Sequence, residues 1–253
     1  MLFFYQSDRL VRPLSGFKII MVLIFLSFAP DGYAQDSLFP ENQPAVVIDP
    51  GHGGSDAGVR GPDGSLEKTV SLILSRLIAK ELEGKYKVVL TRTGDYGLDL
   101  FSRTALANHM KADVFISIHT GGSFLHKAGG INIFFFKENL SALPVLGSGP
   151  VKAVEDSVVL PWNSIQIRHL TASSALADSL KKRFSDRGKF FKSTIESAPL
   201  MVLEGADMPA VLIETGYLTN PTEEKRLNDP EALSHFARGI REGIDDFFAK
   251  SAR

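Results

Sequence analysis

The chain has 253 residues, 44% hydrophobic and 23% charged, the size and balance of one ordinary α/β domain. Its 28 basic and 29 acidic residues nearly cancel to a formal charge of -1, so bulk charge supports neither nucleic-acid binding nor a disordered acidic scaffold. Cysteine is absent, which excludes thiolate metal sites, cysteine nucleophiles and disulfide staples, and leaves any metal to imidazoles and carboxylates.

Residues 1–34 read as a secretory signal peptide. Arg9, Arg12 and Lys18 precede an apolar run from Ile19 to Ala29, and Gly32 and Ala34 supply small residues for cleavage after Ala34. A retained membrane anchor is the alternative, but the run is well short of the roughly 20 residues that span a bilayer. The mature domain is therefore expected in the periplasm or outside the cell, with no stable membrane span after processing. Residues 35–44, QDSLFPENQP, are polar and proline-containing, and read as a linker.

From Ala45 onward strands and helices alternate. Ala45 to Ile48 is a short β-branched run. Leu66, Val70, Ile73, Leu74, Leu77, Ile78 and Leu82 recur at helical spacing, with Ser65 as the expected N-cap. Tyr86 to Leu90 predicts a strand, Leu100 to Met110 a helix, and Val114 to Ile118 and Ile131 to Phe136 two more strands. Residues 137–163 carry Pro144, Gly147, Gly149, Pro150 and Pro161 and predict a long loop. Ile165 to Phe184 predicts an amphipathic helix, Leu200 to Leu203 and Ala210 to Ile213 strands, and Pro230 to Phe248 a closing helix. The whole of residues 45–250 predicts a single-domain α/β fold, a mixed and mostly parallel twisted sheet with helices on both faces. Uninterrupted apolar runs such as VFISI fit strands buried on both sides.

Three of these strands run into chemistry. AVVID leads to PGHGG, VFISI to HTGGS, and AVLI to ETGYLTN. In open α/β sheets ligands bind beyond the carboxyl ends of the strands, so parallel neighbours would bring His52, His119 and Glu214 to one cleft. Glu67, at the start of the first long helix, is placed to face the same strand ends. Two imidazoles and one carboxylate make a zinc set with a fourth position for water, whose pKa zinc lowers to about 7. Glu214 is then the candidate carboxylate for moving the proton.

Taken together, VVIDPGHGGSDAGVRG, LEKTVSL, LTRTGDY with FSRTALAN, ADVFISIHT and MPAVLIETGYLTNPTEEKRL resemble, in order, the motifs of the zinc-dependent N-acetylmuramoyl-L-alanine amidases, the type 3 amidase family. The resemblance implies His52, Glu67 and His119 as ligands of Zn2+ and Glu214 as the catalytic carboxylate. It also implies hydrolysis of the amide between N-acetylmuramic acid and L-alanine in peptidoglycan. Where the family commonly has SIHAN, this chain has Ser117-Ile118-His119-Thr120-Gly121-Gly122, which keeps the histidine and loses the asparagine. The alternatives are a zinc hydrolase of another amide or ester, and a non-catalytic module that binds the cell wall.

The remaining polar residues predict support. Arg103 and Asn108 are expected to hold loops together. Asp49 and Asp56 are expected to form turns, or to orient a ligand imidazole from behind. His109, His126, His169 and His235 lack such context, and TEEKR at 222–226 reads as a solvated helix face. The 137–163 segment borders the site and is read as a gate or as the place where a regulatory protein partner binds, against the plainer reading of a surface loop.

Overall fold

A computed structural model describes residues 43–137, 162–186 and 192–251. The expected signal peptide, residues 35–42 of the linker and residues 138–161 of the long loop lie outside the described residues. Six strands form one sheet: β1 (Ala45–Pro50), β2 (Lys87–Leu90), β3 (Val114–Gly121), β4 (Ile131–Phe136), β5 (Ser193–Ala198) and β6 (Ala210–Tyr217), in the order β2-β1-β3-β6-β4-β5. β2, β1, β3 and β6 are mutually parallel, whereas β4 runs antiparallel to β6 and parallel to β5. Among the described residues there are five α-helices: α1 (Glu67–Leu82), α2 (Leu100–His109), α3 (Leu170–Ser185), α4 (Pro221–Leu227) and α5 (Pro230–Ser251). None is long and apolar enough to cross a membrane.

Alternation along the strands sorts the core into two layers, because successive strand side chains point to opposite faces. Val46, Ile48, Ile116, Ile118, Val211 and Ile213 pack on one face against Val70, Leu74 and Ile78 of α1, Leu176, Leu180 and Phe184 of α3, and Phe236, Ile240 and Ile244 of α5. Val47, Phe115, Ala210 and Leu212 point the other way, onto Ala107 of α2 and the segment around Val202, Leu203 and Met208. Helices thus cover both faces, as the unbroken apolar strands require.

The strand order decides where a ligand can enter. From β1 the chain crosses through α1 to β2 on one side, and from β2 it crosses through α2 to β3 on the other side of β1. α1 and α2 lie on opposite faces, so they part at the carboxyl ends of β1 and β3 and leave a crevice there. The site is therefore central in the sheet.

Several local expectations need correction. α1 begins at Glu67 with Leu66 as N-cap and no side-chain cap. Its first donors are instead met by the preceding loop, Glu67 N to Val59 O at 2.9 Å and Lys68 N to Ala57 O at 3.2 Å, which leaves Ser65 no capping role. The expected helix 165–184 starts as a 3₁₀ segment, Trp162–His169, and becomes α-helical only at Leu170. Met201–Leu203 is a 3₁₀ turn, not a strand. One of the two edge strands is Ser193–Ala198, whose sequence STIESA has one strongly apolar residue and gives no signal.

Away from the site, the start of β2 is fixed to α5 by Asp245. Its carboxylate accepts from Tyr86 Oη at 2.6 Å, Lys85 Nζ at 2.7 Å and Arg241 at 2.9 Å. Burial pushes this carboxyl up, but the Lys85 and Tyr86 hydrogen bonds outweigh it and hold it below the usual carboxylate range. A carboxyl depressed by folding stabilises above its unfolded pKa and loses that contribution as pH falls through the folded one. Asp245→Asn is expected to destabilise by about 1 kcal/mol near pH 7, a fall of about 2–4 °C in Tm. The gap between variant and wild type should close in melts taken at progressively more acid pH, below the ordinary carboxylate range.

Candidate active site

The turn that leaves β1 is held from beneath. Arg92, fully buried, donates to Pro50 O at 2.9 Å and Gly51 O at 2.8 Å. Arg103, also buried, donates to Pro50 O at 2.8 Å and His52 O at 3.0 Å, and Ser71 Oγ to Gly51 O at 2.9 Å. Three successive carbonyls are thereby turned inward, and His52 adopts a left-handed conformation, φ 61°, that a non-glycine residue takes only where its surroundings impose it. Asp49, fully buried at the end of β1, balances the charge of Arg103. It accepts from Arg103 at 2.8 Å, Ser117 Oγ at 2.7 Å and Thr91 Oγ1 at 2.5 Å.

Glu67 is the centre of the site. Each of its carboxylate oxygens takes one backbone amide and one imidazole. Oε1 accepts from Thr120 N at 2.9 Å and His119 Nδ1 at 3.0 Å, and Oε2 from Val59 N at 2.9 Å and His52 Nε2 at 3.0 Å. Burial opposes the charge, yet the hydrogen bonds from His119 and His52 prevail and the carboxyl is held far below its ordinary value. His52 shows the converse: burial lowers its pKa, Glu67 and Asp56 raise it, and the net shift is upward. Gly58 makes this packing possible. It sits at φ +65°, and a Cβ there would lie 2.6 Å from Glu67 Oε2 and 2.7 Å from His52 Cδ2.

His52, Glu67 and His119 each offer one donor atom, and the three atoms lie within 4.8 Å of one another. Two features show that they fit a metal ion. His119 Nδ1 and His52 Nε2 each lie 3.0 Å from a different oxygen of Glu67, so two ring nitrogens and one carboxylate converge closely enough to share a single ion. Asp56 accepts from His52 Nδ1 at 2.8 Å, the carboxylate–imidazole support usual behind a metal-bound histidine. Nitrogen, nitrogen and oxygen donors with an open place match the chemistry of catalytic zinc sites.

Glu214 lies within β6, opposite His119 in the parallel β3/β6 register. Both expected strand-end residues are in fact inside their strands, which continue to Gly121 and Tyr217, with the register shifting between His119 and Gly121. Burial pushes the Glu214 carboxyl up, while Asn132 Nδ2, donating to Oε2 at 3.0 Å, and the nearby His119 draw it back only in part. The outcome is a carboxyl raised above its ordinary value.

All four residues expected at the site are thus assembled at the crevice, and Asp56 fills both roles considered for it, Oδ1 closing the turn through Gly58 N at 3.1 Å and Oδ2 orienting the His52 imidazole. Arg103 and Asn108 tie loops, Asn108 through Gly205 O at 2.8 Å and Asp207 N at 2.9 Å. His126 meets Thr219 O, His169 meets Asp207 and His235 approaches Glu231. Arg92, Asn132 and Tyr217 were not singled out by the sequence. TEEKR is not a solvated face: Glu223 is 8% exposed and Glu224 0%. Glu223 takes Tyr217 N at 2.6 Å and Gly130 N at 3.0 Å, and Glu224 takes Asp63 N at 2.8 Å and Ser65 N at 3.0 Å.

Because Arg103 neutralises a fully buried aspartate, Arg103→Met is expected to destabilise by about 3–5 kcal/mol, the cost of leaving a buried charge without its main partner. Urea denaturation of the variant beside wild type measures this directly.

The sequence pattern of the N-acetylmuramoyl-L-alanine amidases matches residues 46–246. N-acetylmuramoyl-L-alanine amidase AmiA of Salmonella typhimurium is 32% identical over 222 residues, covering 80% of this chain and 75% of that protein. AmiC of Neisseria meningitidis serogroup B is 28% identical over 223 residues, covering 83% of this chain and 54% of that protein. Among solved structures, the catalytic domain of the amidase CwlV from Bacillus (Paenibacillus) polymyxa var. colistinus superposes with a TM-score of 0.65 at 30% identity, covering 82% of this chain and 99% of that one. The amidase AmiC2 of Nostoc punctiforme gives 0.64 at 27% identity, covering 81% and 97%. With that extent of match, and with the residues of its motifs gathered in one crevice, the chain belongs to the N-acetylmuramoyl-L-alanine amidase family.

Proposed function

We propose that this protein is a zinc-dependent hydrolase of the amide joining the lactyl group of N-acetylmuramic acid to L-alanine in peptidoglycan. The observation that carries the reading is the convergence of donor atoms from His52, Glu67 and His119, with Glu214 on the neighbouring strand, at the crevice between β1 and β3. Family membership supplies the substrate class. His52, Glu67 and His119 would hold the ion, which when bound supplies the Lewis acidity that makes water a nucleophile near pH 7.

The rest of the work falls to the chain. Water adds to the amide carbonyl carbon and the C–N bond breaks. The oxygen stays with the lactyl carboxylate, and a proton must reach the departing alanine nitrogen. Glu214, with its raised pKa, accepts the proton from water as a carboxylate and returns it to the amine. Asp56 keeps the His52 ring in one orientation, and the backbone amides of Val59 and Thr120 keep Glu67 in place.

Incubation of the purified protein with sacculi is expected to release stem peptides with a free alanine amino group and to leave intact glycan, read by mass spectrometry. Chelation should abolish release and zinc restore it, and Glu214→Gln should lower kcat by about 10²–10⁴-fold with metal content unchanged. Intact muramyl-peptides, with cuts only in glycan or crosslinks, would overturn the reading.

The same reading includes export to the periplasm or beyond, since a substrate of this kind lies outside the membrane. It is supported by the basic start, apolar run and small residues of positions 9–34. Amino-terminal sequencing of the protein from expressing cells is expected to begin at Gln35. A mature form that retains residues 1–34 would contradict cleavage.

A further inference from the structure

A row of side chains crosses four strands. His119 is in register with Glu214 between β3 and β6, Glu214 with Asn132 between β6 and β4, and Asn132 with Thr194 between β4 and β5. Register partners share a face of the sheet, so these side chains are neighbours. The last three are joined by hydrogen bonds. Thr194 Oγ1 donates to Asn132 Oδ1 at 2.6 Å, and Asn132 Nδ2 donates to Glu214 Oε2 at 3.0 Å and to Tyr217 Oη at 2.8 Å.

The two ends of a carboxamide are not interchangeable: one oxygen accepts and one nitrogen donates two hydrogens. With the Thr194 hydrogen committed to Oδ1, the amide must present its nitrogen to Glu214, and both of its hydrogens are used. The reversed amide would set an oxygen against a carboxylate oxygen. Among the described residues, Asn132 is the one group whose hydrogen bond to the Glu214 carboxylate is seen. On the other side stand Gly121 and the Tyr217 ring: a Cβ at 121 would lie 3.1 Å from Glu214 Oε2 and 3.0 Å from Tyr217 Cδ1 and Cε1. Oε2 is therefore enclosed and tied.

We propose that Asn132, oriented by Thr194, is the positioning residue for Glu214: it fixes Oε2 to β4 and leaves Oε1 as the oxygen that exchanges protons with water and substrate. The inference rests on the catalytic role proposed above for Glu214. It assigns a function to β5, an edge strand, which sets the amide without reaching the reacting atoms.

The test uses the full chain loaded with zinc and assayed for kcat and KM on soluble muramyl-peptide. Asn132→Asp keeps the shape and replaces the donor by an acceptor. Thr194→Val keeps the shape and removes the hydroxyl, whereas Thr194→Ser restores it. Asn132→Asp is expected to lower kcat about 10²-fold, the scale of a misplaced catalytic group. Thr194→Val should lower kcat about 3–10-fold and Thr194→Ser less than about 2-fold, as one neutral hydrogen bond allows. KM, zinc content and Tm should stay near wild type. Thr194 is exposed, so the valine–serine pair decides alone if Asn132→Asp fails to fold. Equal kcat for valine, serine and wild type, or a loss seen only in KM, zinc content or Tm, overturns the proposal. Glu214→Gln measured in parallel separates the two readings. If it retains wild-type kcat, the assignment of Glu214 falls and this proposal with it. If it is inactive while the Thr194 pair is indistinguishable, only the role of Asn132 falls.

Discussion

The grip of two buried guanidinium groups on three successive carbonyls at the end of β1 is the constraint on which the rest of the site depends. Arg92 comes from just beyond β2 and Arg103 from α2, and between them they close on Pro50, Gly51 and His52. A buried cation is tolerated only when its donors are satisfied and its charge is met. Here most of the donors go to carbonyls, only Arg103 Nε being without a partner among the described residues, and the Arg103 charge is met by Asp49, itself held by Thr91 and Ser117. Turning those carbonyls inward commits the backbone to a left-handed residue at position 52, and the His52 side chain then reaches Glu67 across the crevice. The polar interior behind the site is thus what shapes it.

A second clamp works on the opposite side, through adjacent glutamates of the short helix α4. Glu223 takes amides from the end of β6 and the approach to β4, and Glu224 takes two from the turn that precedes α1. Asn220 caps this helix by accepting from Thr222 N, and Pro221 follows at the first position, so its start is fixed by local chemistry. The motif that supplies the end of β6 therefore also anchors the loop from which Glu67 emerges. Two stretches about 160 residues apart in sequence are held together by hydrogen bonds to one carboxylate.

How much of this was legible in the sequence follows from the range of each signal. The buried strands and amphipathic helices show in local periodicity, and Val46–Ile48, Phe115–Ile118 and Val70–Leu82 fall where expected because burial on two faces or one leaves a plain pattern. His52, Glu67, His119 and Glu214 were found because each stands beside a strand end or helix start and within a motif. Residues acting at a distance gave no such sign. Arg92 looks like any arginine after a strand, and Glu223 and Glu224 sit in a charge run whose usual meaning is solvent. Their burial is set by loops that arrive from elsewhere in the chain. Ser193–Ala198 was missed for a related reason. An edge strand needs only one face covered, and here that pairing to β4 comes from tertiary context.

The arrangement around Glu67 bears on how the site accepts a cation without being rebuilt. A carboxylate held only by imidazoles would lose its place once ring nitrogens turned to a metal. Glu67 is held twice over, because each oxygen also takes a backbone amide, Thr120 N or Val59 N, neither of which competes for an ion. Thr120 belongs to β3 and Val59 to the loop against which α1 begins, so the carboxylate is referenced to the scaffold through both walls of the crevice. A divalent cation held there would supply the positive charge that ring hydrogens otherwise provide, with release of those protons. Asp56 can retain its hydrogen bond to Nδ1 of His52 while Nε2 is freed. The position of Glu67 is thus set by the backbone, independently of what meets its charge.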